Sequence, residues 1–295
     1  MSVKALKSEG TPPHITQFTY LRRVMMRRWV VVIGLFIIFI LIFTAAFAPL
    51  IAPYDPYQQN LKSALKGPSS SHLLGTDELG RDLLSRIIYG SRISLLVGIV
   101  GVSLAGALGI ILGLLAGYYE GCINIIIMRF IDSLLSLPPL LLILAISAIL
   151  GGGLLNILVA IGIGMMPTYA RLMCGQVIAL KQNDYITATR SFGSSGFRIM
   201  FMHLLPNAFP TILVLLTQNL GFAILMEASL SYLGIGILPP AAAWGSMVSS
   251  SQRFLLTNPM LSLLPGFAIM AVVLSFNMVG DGLRDALDPR LRGTL

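Results

Sequence analysis

The chain has 295 residues, of which 56% are hydrophobic and 11% charged, with a mean hydropathy of +0.84. A soluble globular domain carries about 25% charged residues, so that class is excluded and the composition is that of an integral membrane protein. A net charge of +8 would suit nucleic acid, but the cations follow membrane topology, which excludes a nucleic-acid partner.

A helical span needs about 20 mainly apolar residues, and six windows qualify: 29–52, 92–118, 129–151, 154–174, 208–232 and 261–283. Their runs are continuously apolar and do not alternate over short strands, which favours helices over a membrane barrel. With the N-terminus inside, 14 of the 20 basic residues are cytoplasmic: Lys4, Lys7, Arg22, Arg23, Arg27, Arg28, Arg129, Arg171, Lys181, Arg190, Arg198, Arg284, Arg290 and Arg292. Lys62, Lys66, Arg81, Arg86, Arg92 and Arg253 stay outside. That bias places both termini in the cytoplasm.

In chain order, residues 1–28 form a polar, basic tail containing Pro12 and Pro13, and its cluster at Arg22–Arg28 could also touch membrane lipid. The first span, 29–52, is too long for the apolar part of a cleaved signal and reads as a retained anchor. An external excursion follows over 53–91. There Asp77 is expected to N-cap an amphipathic helix on the membrane surface, with Leu79, Leu83, Leu84, Ile87 and Ile88 on its apolar side and Arg81 on its polar side.

Residues 92–283 form a five-helix core. The second span carries Gly101, Ala105, Gly109, Gly113 and Gly117, a small residue at every fourth position that lets another helix approach closely. Its partner is not readable from the pattern. Pro138–Pro139 predicts a kink or a late start in the third span, and Pro167 an interruption of the fourth. Cys122 and Cys174 have no second pair nearby and are expected to be packing residues. The loop after the fifth span contains Trp244, and residues 284–295 form a charged cytoplasmic tail.

The three histidines, His14, His72 and His203, fall in predicted loops. No Ser/His, paired Asp or HExxH arrangement lies at membrane depth, and no GxxxxGK[ST] occurs, so neither intramembrane proteolysis nor an intrinsic ATP site is indicated. Glu227, near the end of the fifth span, is the best ionisable candidate for a gate or pathway residue, or else an interfacial residue paired at the outer face.

The segment YITATRSFGSSGFRIMFMHLLPN, beginning at Tyr185 within a cytoplasmic loop of 175–207, breaks the apolar pattern. Tyr185, Ala188, Thr189 and Phe192 fall on one helical face, with Asp184 or Tyr185 starting the helix and Gly193 suited to its C′ position. Phe197, Met200, Phe201 and Leu204 imply a second helix closed by Pro206. Membrane surface or a cytoplasmic protein could cover these faces. With Asp184 as N-cap, Thr187 would occupy the position at which a Glu completes a capping box.

This segment resembles the EAA loop of ABC-importer permeases, with Ala188, Gly193, Leu205 and Pro206 matching and Thr187, Thr189 and His203 departing. LGTDELGRDLLSRIIYGSRISL, YARLMCGQVIALKQNDYI, SYLGIG with PPAAAWGSM, and FNMVGDGLRDALDPRLR extend the resemblance. Together they are similar to the dipeptide/oligopeptide/nickel importer permeases, specifically the partner with the short external loop.

The resemblance implies an all-α, polytopic protein with six transmembrane helices and the type I permease fold, in a bacterial or archaeal cytoplasmic membrane. It implies a homologous second permease, two ATPase subunits that bind ATP and Mg, and an external solute-binding protein, with no enzyme activity or cofactor in this chain. Short peptides are the expected substrates, with nickel or metal chelates and glutathione as alternatives; a secondary transporter is the alternative of another class. Tyr185, Ala188, Phe192, Gly193, Phe197 and Pro206 are the expected ATPase-coupling residues. Asp77, Arg81 and Trp244 are candidate contacts for the binding protein.

Overall fold

The structure, a computed structural model, describes residues 25–287. Pro12, Pro13, His14, Lys4, Lys7, Arg22, Arg23, Arg290 and Arg292 lie outside the described residues. In lipid every backbone N–H and C=O must find a partner within the chain, which makes helix the solution for each apolar run. Five stretches are long and apolar enough to cross a membrane: α1 (Trp29–Ala46), Leu83–Tyr118, α6 (Leu154–Lys181), Gly196–Tyr232 and α10 (Met260–Leu287). A bent pair, α4 (Cys122–Leu135) and α5 (Pro139–Leu150), which meet at 93°, is together long and apolar enough for a sixth crossing. Pro139 stands at the first position of α5, where its missing N–H costs no helical bond.

The Leu83–Tyr118 rod contains α2 (Leu83–Leu96) and α3 (Val102–Tyr118), joined through a wide π-turn at Val97–Gly101. The expected surface helix is therefore not a separate element: it is the first third of the second span. It also starts later than expected. Asp82, not Asp77, is the N-cap, accepting from the Ser85 N–H at 2.9 Å. Asp77 folds a turn instead, accepting from the N–H groups of Leu79 and Arg81 at 2.9 Å each. Gly80 then takes φ +72° against the Asn60 backbone, a conformation that no helix from Asp77 could pass through.

The small-residue stripe of α3 has its partner in the same chain. A Cβ on Gly109 would stand 2.6 Å from the Met166 carbonyl oxygen, and one on Gly117 2.7 Å from the Cβ of Val177, so α3 and α6 touch backbone to backbone. Pro167 does not interrupt α6, which runs unbroken through it. The ring is buried, and neighbouring helices hold the turn whose hydrogen bond it removes. Residues on α3, α5, α6 and Gly196–Tyr232, among them Val102, Ile143, Ile161, Tyr169 and Ala223, form the central core. Asn219 donates to the Tyr169 hydroxyl at 2.8 Å across it.

The first span is peripheral and tied at both ends. Arg28 pairs with Asp285, placing the start of α1 and the end of α10 at one end of the bundle. At the other, Arg92 donates to the carbonyls of Ala45 at 2.6 Å and Ala46 at 3.1 Å, a cation where the helix dipole is negative. Cys174 is buried as expected of a packing residue, but Cys122 is exposed.

Candidate functional site

The loop after α6 projects from the end of the bundle that carries Arg28 and Asp285. α7 (Asp184–Ser191) starts at Asp184 as anticipated above, but its N-cap is Asn183, one residue before the Asp184 cap that the capping-box reading requires, and the Asn183 side chain makes no capping bond. Thr187 therefore falls one position past the capping-box site, which removes the reading of Thr187 as a missing capping Glu. At its other end α7 closes in a Schellman motif: Gly193 N–H donates to Arg190 at 3.0 Å and Ser194 N–H to Thr189 at 3.3 Å, with Gly193 at φ +78°.

α7 rests on the bundle through Ile186, which is 2% exposed. Ile186 joins Leu114, Met173, Val177, Ile199, Met200, Leu204 and Ile212 in a second core under the loop. The aromatic residues point the other way. Phe192 is 90% exposed, Phe197 67% and Tyr185 41%, and the Phe197 ring lies 4.5 Å from that of Phe201. Ala188 is exposed on the same helix. So a short helix is pinned by one aliphatic side chain and presents an uncovered aromatic surface.

Pro206 does not close a second helix. The turn Gly196–Arg198, the π-turn Ile199–Leu204 and α8 (Leu205–Tyr232) are continuous, with Pro206 in the first turn of α8 and Pro210 farther in. The wide turn accommodates the ring, and Asn207 donates its side-chain amide to the His203 carbonyl at 2.6 Å. His203 is thus helical, not in a loop. Pro206 marks the entry to the fifth span.

Beside α7, Lys181 Nζ donates to the Tyr118 carbonyl at 2.9 Å and contacts Gly117 O at 3.4 Å and Glu120 Oε1 at 2.9 Å. This hydrogen bond and the lysine charge hold the Glu120 carboxyl below the ordinary carboxylate range. Lys181 was not singled out in the sequence; a lone lysine at a helix end carries no signal there until the carbonyls it caps are located.

At the opposite end the candidate contact residues turn into the fold, with Arg81 and Trp244 buried and Asp77 half-buried. Trp244, opening α9 (Trp244–Ser251), is 3% exposed and donates its indole N–H to the Ile87 carbonyl at 3.0 Å. Arg81 is 6% exposed and binds Asp77 at 2.6 Å. Asp77 also faces Arg86 at 3.6 Å, whose guanidinium reaches the Pro56 carbonyl at 3.1 Å. Asp77, Arg81 and Trp244 therefore knit the excursion and the Trp244 loop to the start of α2. Arg86 and the Asp82–His72 pair, at 2.9 Å, complete this lattice and are recognisable only from the fold.

Glu227 is 1% exposed and accepts from Ser231 Oγ at 2.6 Å; that oxygen accepts in turn from the Ile237 N–H at 3.0 Å. It fastens the turn after α8. A groove of about 660 Å³ runs between α8, α9 and α10, lined by residues such as Leu225, Ser229, Tyr232, Gly266 and Met270, and Glu227 is not among them. Among the described residues no group of three or more His, Cys, Asp or Glu could hold a metal ion.

Comparison with known proteins agrees with this architecture. Residues 109–293 match the family described as binding-protein-dependent transport system inner membrane component, and residues 16–68 match the N-terminal transmembrane domain of oligopeptide transport permease C. The chain is 43% identical over 289 residues to a dipeptide transport system permease protein of Alkalihalophilus pseudofirmus, covering 96% of this chain and 95% of that one. It is 44% identical over 272 residues to a glutathione transport system permease protein of Pectobacterium atrosepticum, covering 92% and 90%. A di/tripeptide transport system permease protein of Pseudomonas aeruginosa is 45% identical over 265 residues, 88% of each chain. With a helical bundle of five crossing helices and one bent pair, the type I permease fold, this multi-pass chain belongs to the family of inner-membrane permeases of binding-protein-dependent ABC importers.

Proposed function

We propose that this permease forms half of the translocation pathway of an ATP-driven importer of short peptides, pairing with a homologous permease, and that the Tyr185–Phe197 surface seats in a groove on an ATPase subunit. An ABC importer permease works with an ATPase and a binding protein; the second permease and the two-ATPase stoichiometry are part of this proposal. ATP and Mg reside on the ATPases. Both termini face the cytoplasm, so that the aromatic surface lies on the ATPase side. The peptide substrate is supported by the dipeptide and di/tripeptide relatives. A glutathione relative of similar identity favours a second reading in which the peptide is a modified tripeptide.

The observation that carries the coupling role is the exposure of Tyr185 on α7, of Phe192 at its C-cap and of Phe197 beyond the Gly193 joint, around a helix pinned to the bundle by Ile186. Exposed aromatics of this kind are the anchors of interfaces, worth about 2 kcal/mol or more each. Gly193 ends the helix between Phe192 and Phe197, and Ala188 keeps the groove-facing side narrow. Pro206 sets where the loop passes into the fifth span. Glu227 shapes the outer end of α8 from within, and Asp77, Arg81 and Trp244 hold the platform on which exposed residues such as Leu61, Arg253 and Leu256 meet the binding protein. Phe192→Ala is expected to weaken ATPase binding about 30-fold, read by co-purification from membranes. Undiminished recovery of the ATPases with that variant would remove the docking assignment.

A further inference from the structure

The loop touches the end of the second span on both sides of α7. Before α7, the Lys181 ammonium donates to the last carbonyls of α3, at Gly117 and Tyr118, and lies 5.7 Å from the centre of the Tyr118 ring. After α7, Gly196 packs so tightly on that ring that a Cβ there would stand 2.9 Å from the Tyr118 hydroxyl. Lys181 is only 13% exposed at its side chain. Tyr118 is thus held between the residue that ends α6 and the residue that follows the Gly193 joint.

The chain connects α7 covalently only to the fourth and fifth spans. The second span is reached through side chains, and it is the span whose backbone is pressed against α6 along Gly109, Gly113 and Gly117. An ammonium satisfying the free carbonyls at a helix C-terminus is a directional, charge-assisted link. Ile186 alone would let α7 rock on an aliphatic contact, whereas the Lys181–Tyr118–Gly196 clasp holds the chain on both sides of it to one point.

We propose that Lys181 is a positioning residue that clasps the end of the second span to the coupling loop, so that displacement of α7 is delivered to α3 as well as to the spans it directly joins. The proposal rests on the coupling role given to α7. Glu120, exposed beside Lys181, orients the ammonium from the solvent side.

The test is hydrogen exchange in the assembled complex with its ATPases, nucleotide-free and trapped with ATP and vanadate, which needs no knowledge of the transported peptide. In the parent complex, nucleotide should change exchange both in the loop around α7 and in the last turn of α3. With Lys181→Met the change in the loop should persist while that in α3 falls about tenfold, the scale of a lost charge-assisted hydrogen bond. Lys181→Arg, which can reach the same carbonyls, should restore it.

A parent complex whose α3 end does not respond to nucleotide overturns the proposal, as does a Lys181→Met complex in which both regions respond fully or Arg fails to restore. Should Lys181→Met not assemble, Gly196→Val, which pushes the Tyr118 ring away, reads the same difference. A clasp failure leaves Phe192→Ala still defective in ATPase binding; failure of the coupling role itself leaves Phe192→Ala normal.

Discussion

Gly113→Ala isolates the backbone contact between α3 and α6. The added Cβ would overlap the Ala170 carbonyl oxygen and stand 2.7 Å from Met173 Cβ, against the 3.4 Å at which ordinary contact begins, a shortfall of about 0.7 Å. None of these neighbours is the tip of a flexible side chain, so the helices must separate. Overpacking of this kind costs about 1–3 kcal/mol, offset by the roughly 0.5–1 kcal/mol that alanine contributes over glycine in a helix. The net loss is about 1–2 kcal/mol, or roughly tenfold in an opening equilibrium. Cys174 reports on the same interface, since it is buried and its N–H lies 3.0 Å from the new methyl. In a Cys122→Ser background, maleimide labelling of Cys174 should quicken about tenfold in Gly113→Ala. Gly175→Ala, on α6 with nothing within 4 Å of its Cβ, should instead leave labelling no faster and raise the midpoint slightly. Equal labelling rates for Gly113→Ala and the parent would refute a rigid α3–α6 contact.

Two further predictions concern the opposite end. Asp82→Ala removes the N-cap of α2 and the partner of both His72 and the Ser85 hydroxyl, at a cost of about 3 kcal/mol. Limited proteolysis within 53–82 should accelerate, and unchanged cleavage would show that the excursion is held elsewhere. Trp244→Phe removes the indole donor to the Ile87 carbonyl, which keeps its bond within α2, a loss of about 0.5–1.5 kcal/mol. The thermal midpoint should fall while affinity for the binding protein holds, whereas a direct-contact role would reverse those two results.

The helical class and the membrane crossings were legible because a bilayer demands long apolar runs whatever they pack against. So was the exposed aromatic segment, because charge and glycine between apolar runs have no place in lipid. Its internal register was less legible. Tyr185, Ala188, Thr189 and Phe192 do share a face, but the residue that buries is Ile186, since helical spacing groups residues without saying which group meets the protein. Pro206 misled for a related reason: a proline is a stop signal only where the preceding turn is a regular α-helix, and the wide Ile199–Leu204 turn removes the clash. Asp77 has the residue type of a cap, but Gly80 at positive φ breaks any helix begun there, and the start moves to Asp82.

By itself the sequence determined that this protein spans a membrane with helices, that one helix carries a stripe of small residues, and that one loop breaks the apolar pattern with charge, glycine and aromatic groups. Those properties follow from local composition and period. Only the tertiary structure decided that the stripe meets α6, that Asp77, Arg81 and Trp244 bond within the fold, that Glu227 fastens the turn after α8, and that the Lys181 ammonium meets the carbonyls at the end of α3. Each of these depends on which atom a side chain meets across distant stretches of chain, and neither spacing nor propensity encodes that meeting.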